Sequence, residues 1–284
     1  MANQAAALNA PAGKTQAELI YEQFQRSQRR FTLGVAASWG VLLVLLALIF
    51  SGLHLTIGSV TITTIHLDLQ FIRDWTPFIS QGIWQTIGIS LLSILFATLL
   101  ALLAALGRLS RFPPIYALST FYISLIRGTP LFLQILFFFL ALPQLGIDLP
   151  GLWAGVLALS LNYGAYMSEI FRAGILSVSK GQRESAVALG MNYSQMMRRI
   201  ILPQALRFAI PPTGNEFIAM LKDSALVSAT GFVHEILWRA QKAGQPNFRN
   251  LEALIVAAVF YWVLTLIFST FQSRLEFFMA RGDR

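Results

Sequence analysis

Long stretches of this 284-residue chain contain no charged residue, and this feature limits its possible folds more than any other. Three of them run over residues 31–53, 75–107 and 253–273. About 20 apolar residues are enough to cross the hydrocarbon core of a bilayer as a helix. Apolar residues make up 56% of the chain and charged residues only 12%, so the chain cannot coat a soluble globular surface. The sequence therefore predicts an all-α membrane protein.

Charges and turn residues divide the chain into six predicted membrane spans. The first, residues 31–53, follows a polar cytoplasmic segment at residues 1–30. A polar periplasmic segment at residues 54–77 comes next, and its β-branched residues 61–65 suggest a short extended stretch. A short cytoplasmic tail occupies residues 277–284. The remaining five spans form one predicted transmembrane domain, residues 78–276, and cover residues 78–106, 115–142, 152–176, 208–230 and 253–273.

The distribution of basic residues predicts the orientation of these spans. An even number of spans places both termini on the same side of the membrane. If the N-terminus is cytoplasmic, fourteen of the 21 Lys and Arg residues fall in cytoplasmic segments and four in outer segments. Cytoplasmic loops carry such an excess, so we expect both termini in the cytoplasm. The formal net charge of +8 thus indicates membrane topology and not nucleic-acid binding.

No catalytic or metal-binding pattern stands out in the sequence. The chain has no cysteine, and its three histidines are scattered. Gly13-Lys14-Thr15 imitates the end of a phosphate-binding loop, but Leu8 stands where that motif needs its first glycine. We therefore expect no enzyme activity, no bound cofactor and no metal site in this chain.

The polar loop between the fourth and fifth spans carries the most informative pattern. We predict two short helices joined at Gly190, because glycine favours the left-handed conformation that ends a helix. Gly181 is the expected N-cap of the first helix, and Asn192 or Ser194 that of the second. Pro203 is expected to end the second helix. A compact helical hairpin of this kind is unusual for a simple connection between membrane spans.

This loop, residues 177–207, resembles the EAA loop of ATP-binding cassette (ABC) importer permeases. The resemblance rests on Glu184-Ser-Ala, on Gly190 six residues later, and on Ile-x-Leu202-Pro203. The wider loop is similar to the polar amino-acid permease branch, which includes histidine, glutamine and arginine permeases. Three further motifs support this branch: Arg127-Gly-Thr-Pro-Leu131, Tyr166-x-x-Glu169-x-x-Arg172, and Asn215-Glu216 with Lys222-Asp-Ser-Ala-Leu226.

The resemblance implies a fold and a mechanism. The fold would be the five-helix core of a type I ABC importer permease, preceded by one extra N-terminal helix. The loop would be the coupling helix that docks into a separate ATPase subunit, which would hold ATP and Mg²⁺. Ser185 stands where the family usually has alanine and is small enough to fit. The implied ATPase-coupling residues are Glu184, Ser185, Ala186, Val187, Leu189, Gly190, Leu202 and Pro203.

The resemblance also implies partners and a location. Two ATPase subunits would lie on the cytoplasmic side, and a second copy or a paralogous permease would complete the pathway. A periplasmic or tethered amino-acid-binding protein would deliver the substrate. The complex would lie in the lipid bilayer of the bacterial inner membrane and import polar amino acids by alternating access. The sequence leaves acidic, neutral and basic substrates open, as well as an identical or a different second permease.

Charged residues inside the spans suggest where a substrate binds. Such residues are costly in a membrane unless they pair or line a water-filled path. A zwitterionic amino acid needs an anion for its ammonium group and a donor for its carboxylate. Glu216 is our candidate for the first, and Arg127 or a helix N-terminus for the second. Nearby prolines and glycines are expected to break both helices there. The other candidate substrate-binding residues are Asn215, Leu131, Gln134 and Glu169.

Three alternatives stay open at this point. The charges inside the spans could form structural ion pairs, as Glu169 and Arg172 could, because they lie three residues apart on one helical face. The chain could be a secondary transporter driven by an ion gradient, although its segments show no convincing internal repeat. A channel or scaffold is the third option, but it would leave the structured loop without a purpose.

Overall fold

The computed structural model describes residues 16–57 and 60–280, which belong to two compact units. The first unit, Met1–Asp68, contains helix α1 (Gln16–Ile49) and an antiparallel hairpin of strands β1 (His54–Ile57) and β2 (Val60–Thr63). Strand β2 overlaps the extended stretch predicted at residues 61–65. Parts of the predicted N-terminal segment and of the tail lie outside the described residues.

Over its described residues, 69–280, the second unit, Leu69–Arg284, consists of helices joined by loops, with no strand. The all-α fold class predicted from the sequence is confirmed. Short π-helical or 3₁₀-helical turns follow the fourth, seventh and eighth of its helices. Its helices in chain order are α2 (Leu69–Ser80), α3 (Gly82–Arg108), α4 (Pro113–Arg127), α5 (Leu131–Leu136), α6 (Gly151–Ser177), α7 (Lys180–Ala188), α8 (Tyr193–Met196), α9 (Leu202–Asp223), α10 (Ile236–Gly244) and α11 (Asn250–Ala280).

Among the described residues, three helical segments are long and apolar enough to cross a membrane: Ile20–Ile49, Leu69–Arg108 and Asn250–Met279. A fourth candidate is a bent pair, Pro113–Arg127 with Leu131–Leu145, whose halves meet at 104°. Helices α6 and α9, at the predicted fourth and fifth spans, do not join this apolar set because polar side chains interrupt them. The count of six spans therefore stays a prediction.

The helix that leads into the second predicted span begins earlier than the sequence suggested. Helix α2 starts at Leu69, whereas the sequence placed the start of the span near Phe78. Helix α2 is amphipathic, since Phe71 and Ile79 are buried while the two charged residues between them are exposed. In the sequence, Arg73 and Asp74 mark the boundary of the uncharged stretch that follows them. In the structure both lie on the exposed face of α2, so the helix includes them.

Small residues let α3 and α6 pack closely. Gly164 of α6 lies so near α3 that a Cβ there would be 3.0 Å from the Cβ of Leu100. Small residues on facing helices allow backbones to approach in membranes, where packing contacts drive association. The same core includes Met220, so α9 is held beside α6. A four-residue repeat of buried small side chains on α3 supports this packing: Ser93, Ala97, Ala101 and Ala105.

The start of α3 also lies very close to the start of α10. Glu235 is fully buried and caps α10 by accepting hydrogen bonds from the backbone N–H groups of Leu237 (2.8 Å) and Trp238 (2.6 Å). A Cβ at Gly82 would lie 2.6 Å from the backbone nitrogen of Ile236. The contacting atom belongs to the backbone and cannot rotate away, so this approach requires glycine.

We expect Gly82→Ala to lower the midpoint of thermal unfolding of the detergent-solubilised chain by roughly 5 °C, because overpacking a tight contact costs about 1–3 kcal/mol. Gly88→Ala, in the same helix, is the matched control because no atom lies within 4 Å of a Cβ there. The control should leave the midpoint unchanged or slightly raised. Equal midpoints for the two variants would contradict the close approach of α3 and α10.

Candidate coupling loop and substrate site

The loop between α6 and α9 contains two short helices, α7 (Lys180–Ala188) and α8 (Tyr193–Met196). We call this pair the helical hairpin, or simply the hairpin, and each of its helices has a defined N-cap. Ser179 is the N-cap of α7, and its hydroxyl accepts a hydrogen bond from the backbone N–H of Gln182 (3.4 Å). The prediction that Gly181 caps this helix was wrong, because Ser179 supplies a side-chain acceptor that glycine lacks. Lys180 and Glu184 form an exposed ion pair along α7, with 3.4 Å between Nζ and Oε1.

The turn between the two short helices has the predicted geometry. Gly190 has φ of +72°, the left-handed conformation that glycine adopts without strain. The backbone N–H of Met191 donates to the carbonyl of Ala186 (3.0 Å), which closes the end of α7. Asn192 then caps α8 in a reciprocal capping box with Gln195. These local contacts fix the bend of the hairpin.

Pro203 begins a helix and does not end one. The chain passes from α8 through a π-helical turn, Met197–Ile201, directly into α9, and Pro203 lies in the first turn of α9. Proline is tolerated there because the first N–H groups of a helix have no partner within it. The predicted stop was therefore wrong. Leu202 and Pro203 lie at the start of α9, away from the Gly190 turn.

The hairpin is fastened to the long helices on both sides. Arg183 of α7 donates from Nη2 to the backbone carbonyl of Ile175 in α6 (2.5 Å). An apolar cluster of Ile175, Val178, Ile201 and Ala205 joins the end of α6 to the start of α9. A movement of the hairpin would therefore be transmitted to both helices.

The side chains at the tip of the hairpin face outward. Val187 and Leu189 are 64% and 75% exposed, and Glu184 and Ser185 are exposed as well. Ala186 is fully buried and belongs to the interior of the hairpin. Apolar side chains that are exposed together on a polar loop are typical of a protein-binding surface.

A polar cavity of about 500 Å³ lies among α4, α5, α6 and α9. This volume is in the range of small-molecule sites. Its charged side chains are Arg127 at the end of α4 and Glu216 and Asp223 on α9. The other lining residues are Gly128, Thr129, Pro130, Leu131, Asn162, Tyr163 and Tyr166.

One wall of the cavity is the break between α4 and α5. Gln134 stabilises this break: its Nε2 donates to the carbonyls of Ile126 (2.8 Å) and Thr129 (3.1 Å) and to the hydroxyl of Thr129 (2.9 Å). Asn162 of α6 donates to Oε1 of Gln134 (3.1 Å). Gln134 thus satisfies two backbone carbonyls at the break, and Asn162 holds the Gln134 side chain in place.

Two tyrosines of α6 position the charged groups of the cavity. The guanidinium of Arg127 lies 5.0 Å from the ring centre of Tyr166, within the range of a cation–π contact. The hydroxyl of Tyr163 donates to Oδ2 of Asp223 (2.8 Å). The cavity therefore presents an oriented cation, Arg127, and an oriented carboxylate, Asp223, and Glu216 is the third charged side chain that lines it.

The chain matches the family model of the binding-protein-dependent transport system inner membrane component over residues 97–281. This match covers more than half of the chain and includes both the hairpin and the cavity. The chain belongs to this family. The resemblance to ABC importer permeases that the EAA loop indicated is confirmed.

Two relatives and one solved structure show how far the similarity extends. The arginine transport system permease protein ArtQ of Bacillus subtilis is 40% identical over 219 residues, which are 77% of this chain and all of that protein. The L-cystine transport system permease protein TcyB of the same organism is 40% identical over 223 residues, 78% and 93% of the two chains. A crystal structure of an amino acid ABC transporter with histidines has a TM-score of 0.71 at 39% identity, and the match covers 75% of this chain and 99% of that one.

Within this inner membrane component, the structure brings together three of the predicted substrate residues. Arg127, Leu131 and Glu216 line the cavity. Gln134 is not among the lining residues, and its hydrogen bonds stabilise the break between α4 and α5. The two others lie elsewhere: Asn215 accepts a hydrogen bond from Gln272 (3.1 Å), and Glu169 pairs with Arg172 (2.7 Å) and lies 4.0 Å from Arg108.

Five further polar residues line the cavity and were not among the candidates: Thr129, Asn162, Tyr163, Tyr166 and Asp223. Asn162, Tyr163 and Tyr166 interrupt an otherwise apolar stretch, and such polar positions facing a bundle interior are a usable signal. In the sequence, Asp223 was considered only as part of the Lys222-Asp-Ser-Ala-Leu226 motif. Its partner, Tyr163, is 60 residues away in the chain.

Helix α9 of this permease also differs from the prediction. Pro211, Pro212 and Gly214 were expected to break it, but α9 is continuous from Leu202 to Asp223. Gln272 of α11 donates to the carbonyl of Pro211 (3.0 Å), so a neighbouring helix satisfies a backbone acceptor at this position. The chain leaves α-helical geometry only after Asp223, in the 3₁₀-helical segment Ser224–Thr230.

Proposed function

We propose that this chain is the permease subunit of an ABC importer that carries polar amino acids across the inner membrane. The main support for the proposal is that helices α6 and α9 both anchor the hairpin and line the cavity. Helix α6 bears Tyr163 and Ile175, and α9 bears Ala205 and Glu216. In each helix the two positions lie roughly 17 Å apart along the axis, at 1.5 Å per residue.

The structure supports a lever mechanism. A separate ATPase subunit would bind the exposed tip of the hairpin, and closure of two ATPases on ATP would move the hairpin as a rigid body. Because the apolar cluster ties the hairpin to α6 and α9, both helices would tilt and open the cavity to one side and then the other. An ion-driven transporter would have no use for the exposed apolar tip.

The proposal includes the remaining partners and the topology. A second permease, identical or paralogous, would complete the pathway, and a periplasmic or tethered binding protein would deliver the substrate. Both termini would lie in the cytoplasm, as the excess of Lys and Arg in the inner segments indicates.

The cavity can hold both ends of an amino acid. Arg127, steadied by Tyr166, would bind the α-carboxylate with its fixed pattern of N–H donors. Glu216 would bind the α-ammonium group. Opposite charges at the two ends suit a zwitterion, and the volume of about 500 Å³ leaves room for a side chain.

Ser185 provides a direct test of the ATPase contact, because it is exposed and the chain has no cysteine. Ser185→Cys, labelled with a maleimide photo-cross-linker in the complex purified with its ATPase, should give a product that contains both subunits. Asp148→Cys is the matched control, since Asp148 is exposed in a loop that the proposed topology places outside. No product from Ser185→Cys, or an equal product from the control, would contradict the proposal.

A further inference from the structure

We infer that a further cavity, between the hairpin and the loop that joins α3 to α4, binds the phosphate group of an anionic ligand. This cavity measures about 590 Å³ and shares no lining residue with the proposed substrate cavity. Ile175 and Leu176, near the end of α6, form one of its walls. The inference goes beyond the proposed function, and only the placement of the cavity relative to the membrane rests on that function.

Two cations and no carboxylate are among the described residues that line this cavity. The cations are Arg111, in the loop at residues 109–112, and Arg183, on α7. Glu184 follows Arg183 in the chain, but it is exposed and pairs with Lys180 along α7. Like charges around one space repel each other, so the cavity suits a ligand that carries negative charge. Neither arginine belongs to the motifs that indicated the family.

The guanidinium of Arg183 has more donors than its described neighbours satisfy. Of its five N–H groups, one on Nη2 bonds the carbonyl of Ile175 (2.5 Å), while Nε is buried without a hydrogen-bond partner among the described residues. Arg183 and the fully buried Ala186 are three residues apart, so they share the inner face of α7. A phosphate group offers several acceptor oxygens that match the planar fork of a guanidinium.

The rest of the lining suits a phosphate that is attached to an apolar body. The hydroxyl of Ser110 accepts a hydrogen bond from the backbone N–H of Phe112 (3.1 Å), so its own proton can be donated to a ligand. Tyr193 adds a second hydroxyl. Most of the remaining lining is apolar: Leu109, Leu176, Met196, Met197 and Ile201.

Two sources of phosphate can reach this cavity. In the proposed topology the hairpin and the α3–α4 loop lie on the cytoplasmic side, where anionic lipid headgroups attract basic side chains. Soluble phosphate compounds are the other source. The apolar lining favours the lipid, and the probes of the test distinguish the two.

A bound phosphate would connect the hairpin to a part of the chain that is not its anchor. Arg183 on α7 and Arg111 in the α3–α4 loop would contact the same group, in addition to the apolar cluster that ties the hairpin to α6 and α9. Binding would thus restrain the element that is proposed to move during transport.

The test measures binding to the purified full-length chain in detergent, without the ATPase. Three probes are titrated: dioctanoyl phosphatidylglycerol, dioctanoyl phosphatidylcholine and inorganic phosphate. We expect phosphatidylglycerol to bind at least about tenfold more tightly than phosphatidylcholine, whose phosphate charge is neutralised by its choline. Tighter binding of inorganic phosphate than of either lipid would assign the site to a soluble phosphate. Equal binding of the two lipids without binding of phosphate would overturn the inference.

Variants of the two arginines locate the bound probe. Arg111→Gln and Arg183→Gln should each weaken the tighter probe at least about tenfold, the size of a lost hydrogen bond to a charged group. Arg199→Gln is the matched control, because Arg199 is exposed nearby and does not line the cavity. Since Arg111 is exposed, its variant should unfold at the wild-type temperature without ligand. Unchanged affinity in both cavity variants, or an equal loss in the control, would overturn the inference.

Addition of the ATPase separates a ligand site from a subunit contact. The tighter probe should stay bound when the ATPase joins the complex. Displacement of the probe would assign the two arginines to the ATPase interface and overturn the inference. If no probe binds while uptake still requires ATP, the phosphate site alone is wrong and the permease function stands.

Discussion

Replacing Val187 and Leu189 together with aspartate will abolish ATP-driven uptake without unfolding the chain. Both side chains are largely exposed at the tip of the hairpin, so charges there cost little in the isolated subunit. In the complex the same charges would be buried against the ATPase without partners, which costs several kcal/mol. We expect uptake to fall at least about 100-fold and the ATPase to be lost during purification of the permease.

The matched control keeps the apolar character of the tip. Leu189→Met retains a flexible apolar side chain of similar volume and should preserve both ATPase binding and uptake. The yield and the thermal midpoint of the double aspartate variant should equal those of the wild type. Stable assembly and normal uptake by this variant would show that the tip is not the docking surface.

Substitution of either Glu216 or Arg127 by alanine will abolish transport and leave assembly intact. Each residue lines the cavity, and neither contributes to the hairpin or to the cluster that anchors it. Removing either side chain deletes a charge-assisted hydrogen bond to the substrate, worth about 1.5–3 kcal/mol. The ammonium or carboxylate group of the substrate that it would bind is then left desolvated without a partner. Uptake should fall at least about 50-fold at substrate concentrations that half-saturate the wild type.

Measuring ATPase activity separates a role in substrate binding from a role in assembly of the complex. Both variants should copurify with the ATPase, and basal ATP hydrolysis should continue, but substrate should no longer stimulate it. Asp148→Asn serves as the control for removal of a charge outside the cavity. Wild-type uptake by Glu216→Ala or Arg127→Ala would exclude the residue concerned from the substrate site.

Features set by neighbouring residues could be predicted from the sequence. Gly190 adopts the left-handed turn that its position indicated, and Asn192 caps the helix that follows. The Glu169–Arg172 pair follows from a spacing of three residues on one helix. Each of these depends on chemistry within a few residues, so no knowledge of the packing was needed.

Features that depend on tertiary packing could not be predicted in this way. Asp223 and Tyr163 meet across 60 residues, and only the packing of α9 against α6 brings them together. Asn215 and Glu216 are adjacent in the sequence, yet one contacts α11 and the other lines the cavity. Which side of α9 faces the cavity is decided by neighbouring helices, so the spacing of charges along α9 was insufficient.

The central claim is that a separate ATPase drives accumulation by moving the hairpin. The most direct measurement is uptake of a labelled polar amino acid into proteoliposomes that contain the complete complex and its binding protein. We predict accumulation against a gradient only when ATP is present on the side of the hairpin, with no effect of ionophores. Accumulation driven by a proton or sodium gradient without ATP would contradict the account.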